Sequence, residues 1–94
     1  MEIISNAPFR EYYLEVVQHR DTPTAIAERA GLFHGGKAAD GSKTGDASYF
    51  LRLLGLKESS SGRGYPPYLR EWISYEIGVK LADAMSLDYT LAGV

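Results

Sequence analysis

Ninety-four residues, 45% of them hydrophobic, suffice for one small core and exclude a disordered chain. The absence of cysteine excludes disulfides, thiolate catalysis and thiolate zinc sites. The formal net charge of −2 hides a distribution: residues 37–70 carry +3, between flanks of −2 (residues 1–36) and −3 (residues 71–94). Such a basic middle is the pattern of a polyanion-binding face on an acidic domain, or else of a solvated loop.

Asn6 can cap a first helix, with Pro8 in its first turn, where a missing N–H costs nothing. Phe9, Tyr12, Tyr13, Val16 and Val17 then keep the rhythm of one buried face, predicting a helix from about Ala7 to His19. Thr22 and Pro23 are a cap and a first helical residue, and Gly31 ends the short helix that they begin. Ile26 and Ala30 face inward. Ala27 and Gly31, one turn apart, leave room for a second helix to come close.

Residues 33–45 have no period and contain Gly35, Gly36, Gly41 and Gly45. Gly36 to Thr44 superficially resembles a phosphate-binding loop, but one residue too many precedes Lys43 and no β-branched strand leads in. Nucleotide hydrolysis is therefore not expected. A second short helix follows over 46–54, capped by Thr44 or Asp46 and ended by Gly55. Phe50, Leu53 and Leu54 form its apolar side. Tyr49 and Arg52 share another side with Ser48 nearby, either as a reading surface or as ordinary surface residues.

The stretch 57–68 is Ser/Gly-rich and then extended at Pro66 and Pro67. Arg63 between Gly62 and Gly64 has the character of a short minor-groove arm, or of a plain linker. Leu69 to Ile73 reads as an extended link or turn, with Trp72 expected in the core or at its edge. Ser74 starts the last long helix, whose buried face is Ile77, Leu81, Ala84 and Met85. After a break at Ser86, Asp88 caps a final turn over Tyr89 to Ala92 that Gly93 closes. Together these elements predict one all-α domain over 1–94, a bundle of four to five helices in which the two short ones form a helix-turn-helix with an extended turn.

Three pieces resemble the lambda-repressor-like family of helix-turn-helix proteins, the Cro and phage-repressor type. Ile26, Ala27, Gly31 and Leu32 fit the first half of that motif. Ser48 to Gly55 is similar to its recognition helix, with Phe50 as the buried residue and Arg52 as the basic one. Ile73 to Asp88 resembles the helix that follows. The resemblance covers about two thirds of the chain, and small phage and actinobacterial regulators are what the whole is most similar to. It departs from the family at residues 33–45, inserted where a turn of three or four residues is usual, and at the long connection 56–73.

The resemblance implies a double-stranded DNA-binding regulator of repressor type that places helix 46–54 in the major groove. Ser48, Tyr49 and Arg52 would read bases. Lys37, Lys43, Thr44, Lys57 and Arg63 would hold the backbone or a minor groove. A homodimer would cover two half-sites; Leu87, Tyr89, Leu91 and Val94 are one candidate contact, although packing back onto the core is their expected fate. The alternative is a protein-interaction module such as an antirepressor or antitoxin. No enzyme, cofactor or metal is expected: the two histidines, His19 and His34, have no catalytic partner at useful spacing beyond Glu15. No apolar run nears the ~20 residues of a membrane span, and no leader is evident, so a cytoplasmic location is expected.

Overall fold

Two strands bring distant parts of the chain together: β1 (Ile3–Ser5) pairs antiparallel with β2 (Trp72–Ser74), matching Ile3 with Ser74, Ile4 with Ile73 and Ser5 with Trp72. The computed structural model describes residues 2–33, 44–60 and 62–94. The remaining elements are α1 (Ala7–Glu15), a single 3₁₀ turn at Val17–His19, α2 (Pro23–Arg29), α3 (Ala47–Leu53), α4 (Tyr75–Met85) and α5 (Tyr89–Ala92). The all-α expectation is thus overturned, and the fold is mixed α/β. Each strand has three residues, too few for an alternating pattern to stand out, and their pairing is non-local. Only Ile4 and Ile73 turn inward, and the other strand residues face out.

The core is built from all the helices. Phe9, Ile26, Phe50, Leu53, Leu54, Leu81 and Met85 are almost completely buried. Tyr13 of α1 meets Phe50 of α3 edge to face, with ring centroids 5.5 Å apart and planes at 74°. Such a pair contributes about 0.5–1.5 kcal/mol beyond its buried area. The first helix is shorter than its rhythm predicts: it ends at Glu15, and the chain continues as the 3₁₀ turn.

Asn6 does not cap α1 with its side chain. It is fully buried, and its Nδ2 donates to the carbonyls of Leu53 at 3.0 Å and Arg70 at 2.8 Å. Its Oδ1 accepts from Arg10 at 3.0 Å, and Arg10 also donates to the Leu54 carbonyl at 3.1 Å. Two side chains from the start of the chain thereby satisfy carbonyls at the C-terminal end of α3, which a helix leaves without partners. The C-terminal end of α4 is served in the same way: Arg20 donates to the Met85 carbonyl at 3.3 Å and Arg29 to that of Ala84 at 3.0 Å.

Candidate nucleic-acid interface

α2 and α3 lie against each other, and the way the chain joins them decides whether they form a working pair. Thr22 caps α2 by accepting from Ala25 N–H, and Asp46 caps α3 by accepting from Tyr49 N–H at 2.9 Å. Of the two caps considered for α3, the carboxylate is the one used. Both helices end in one pattern. Leu32 N–H returns to the Ala27 carbonyl and Leu56 N–H to that of Leu51, across Gly31 and Gly55 at φ +75° and +77°.

The connection between them is closed at its base. Phe33 and Gly45 form an antiparallel bridge, and Asp46 N–H donates to the Leu32 carbonyl at 2.9 Å. α3 therefore begins where α2's last turn ends, although thirteen residues of sequence intervene. Ala27 is fully buried, but the close approach expected beside it at Gly31 occurs elsewhere. A Cβ on Gly31 would meet nothing within 4 Å, whereas a Cβ on Gly45 would lie 2.2 Å from the Thr24 carbonyl oxygen and 2.9 Å from the Glu28 nitrogen. Glycine at 45 is what lets the entrance to α3 rest on the backbone of α2.

On α3, Phe50 and Leu53 turn into the core and Ser48 and Arg52, four residues apart, share a half-exposed side. Lys57, from the segment after α3, donates from Nζ to Ser48 Oγ at 2.9 Å. The Arg52 guanidinium has no hydrogen-bond partner among the described residues. Tyr49 is half-buried and packs against the core. Thr44 is exposed just before the Phe33–Gly45 bridge. Lys37 and Lys43 lie outside the described residues. With the Asp46 carboxylate already at α3's N-terminus and accepting from the Tyr49 N–H, an anion at this surface would be held by side-chain cations rather than by the helix end.

Arg63 sits on a second closed loop. Ser59 and Tyr68 exchange backbone hydrogen bonds, Ser59 N–H to Tyr68 O at 2.8 Å and Tyr68 N–H to Ser59 O at 3.0 Å. The loop above this bridge carries Gly62, Arg63 and Gly64 in the open, with both glycines at positive φ. The chain from Lys57 to Tyr68 thus leaves α3 beside Ser48 and displays an arginine at an exposed turn.

Sequence reasoning missed Asn6, Arg10 and Gly45, the residues that fix α3 from its two ends. An asparagine before a Pro-containing first turn signals a cap, and nothing local indicates that its carboxamide is used 47 residues away. Comparison with known proteins adds no assignment: no family model, curated protein or solved structure matches the chain.

Proposed function

We propose that this protein binds double-stranded DNA in a sequence-dependent manner, as a transcriptional regulator of repressor type with α2 and α3 acting as a helix-turn-helix pair. The observation that carries this reading is the closed base of the 33–45 connection, which keeps α2 and α3 adjacent despite the insertion. α3 enters the major groove with Arg52 and Ser48 toward base edges, Arg52 to guanine. Tyr49 flanks them at the groove wall. Lys57 and Arg63 contact backbone or an adjacent minor groove, and Thr44, Lys37 and Lys43 add further backbone contacts.

A second reading, a protein-interaction module on the same scaffold, is favoured by the net charge of −2 and by the acidic C-terminal third. The two differ in their response to salt. Selection of bound sites from a random duplex pool, then anisotropy titrations between about 50 and about 200 mM salt, separates them. Four phosphate contacts, from Lys37, Lys43, Lys57 and Arg63, give a log–log slope of about −3.6. Lys57→Ala brings the slope toward zero by about 1 without changing sequence preference, and Arg52→Ala loses about 1–3 kcal/mol of base discrimination. Failure to enrich any duplex, with no binding at low salt, refutes the DNA reading.

A further inference from the structure

The outer face of the two-stranded sheet is a surface that DNA recognition leaves unused. Ile4 and Ile73 turn inward, so Ile3 and Trp72, diagonal to one another across the strand pair, share the opposite face. Trp72 continues into a shallow groove of about 320 Å³ lined by Tyr68, Leu69, Arg70, Glu71 and Trp72. Four large side chains here remain open to solvent: Ile3 at 59%, Trp72 at 58%, Leu69 at 55% and Tyr68 at 44%.

We infer that this face is a homodimer interface, with Trp72 and Leu69 at its centre and a second copy of the chain as its occupant. Covering the exposed parts of the four side chains removes roughly 500 Å² from water per copy, on the order of 1,000 Å² in all. That comes to the roughly 1,000 Å² a specific interface must clear, before the polar rim is counted. The charge on the groove selects the partner. It holds one cation, Arg70, next to one anion, Glu71, so a partner of single sign gains nothing there. A two-fold axis places Arg70 of each copy against Glu71 of the other, which is the self-complementarity that an isologous contact requires. The inference does not rest on DNA binding, and its test contains no DNA.

Sedimentation equilibrium of the full chain from about 1 µM to about 1 mM is the primary measurement. The weight-average mass is expected to rise from 10.4 kDa toward twice that value. Trp72 is the only tryptophan, so its emission reports on this face alone and moves to the blue over the same concentrations. Leu69→Glu keeps the chain monomeric, with unshifted emission. Glu71→Arg weakens dimerisation about tenfold, and adding Arg70→Glu to it restores most of that loss. A wild-type mass of 10.4 kDa at every concentration overturns the inference. So does a dimer in which Trp72 emission stays unshifted, or one that Leu69→Glu leaves intact.

Discussion

Replacing Gly45 with alanine tests whether the closed loop base is what pairs α2 with α3. The added Cβ would lie 2.2 Å from the Thr24 carbonyl oxygen, 2.8 Å from Glu28 Cγ and 2.9 Å from the Glu28 nitrogen. Two of these three atoms are backbone of α2, so no side-chain rotation relieves the clash. The entrance to α3 must move away by about an ångström. That movement breaks the Asp46 N–H to Leu32 carbonyl hydrogen bond and opens the Phe33–Gly45 bridge. A broken buried hydrogen bond and a strained contact of this kind each cost about 1–2 kcal/mol, giving about 3 kcal/mol together. Gly31→Ala is the matched control. It meets no atom within 4 Å and suffers only the left-handed backbone at φ +75°, worth about 1–2 kcal/mol. Thermal denaturation followed by circular dichroism measures both variants. At about 4–8 °C per kcal/mol, Gly45→Ala melts about 12–24 °C below wild type. If it is no less stable than Gly31→Ala, α3 is not seated on α2 and the pairing argument falls.

Asn6→Ala removes donors to two backbone carbonyls and strips Arg10 of one acceptor, so it is expected to cost about 2–4 kcal/mol in urea denaturation. Asn6→Asp should be at least as damaging, since a carboxylate has no N–H to give Leu53 and Arg70. Ser86 closes α4 at φ 58° without being glycine, and Ser86→Gly is expected to stabilise by about 0.5–1 kcal/mol, visible as a raised denaturation midpoint. The Asp21 carboxyl is held below the usual range by its hydrogen bond from Arg29, and next by the Thr22 N–H. Because the folded pKa is depressed, this contribution is present above about pH 4 and is lost as pH falls through the folded value. Wild-type stability should therefore drop more steeply than that of Asp21→Asn on acidification below about pH 4, and parallel curves would remove Asp21 from the account.

What could be read from the chain divides by range. Apart from Asn6, whose side chain does not cap α1, local signals hold: Thr22, Asp46, Ser74 and Asp88 cap the helices that follow them, and Gly31, Gly55 and Gly93 close the helices that precede them. Each is decided by residues within one turn. Long-range features were not legible. β1 and β2 are separated by α1, α2 and α3, and each offers a single inward residue. Trp72 was expected in the core or at its edge because tryptophan buries much area, yet strand alternation about Ile73 turns it outward. The C-terminal contact suggested by Leu87, Tyr89, Leu91 and Val94 also divides on inspection. Leu87 belongs to the core, and only Tyr89 and Leu91 are exposed, with the Tyr89 hydroxyl donating to Asp83.

The hydrogen bonds also change what the charge distribution means. Residues 1–36 contain three cations, Arg10, Arg20 and Arg29, and each donates to a backbone carbonyl at a helix C-terminus. Those three are committed to holding α3 and α4, and moving them to a ligand would leave helix ends unsatisfied. Among the described residues, the cations that remain are Arg52, Lys57, Arg63 and Arg70 in the basic middle, and Lys80 on α4. Lys57 makes only a hydrogen bond to a serine hydroxyl, at an exposed position where exchange for a phosphate oxygen costs little. The net charge of −2 therefore says little about partners. The relevant quantity is the charge left over after the fold has used its arginines, and among the described residues that remainder, Lys80 apart, lies on α3 and the segment leaving it. Neutralising Lys57 and Arg63 together should accordingly remove about half of the salt dependence of DNA binding, whereas Lys80→Ala on α4 should leave it unchanged.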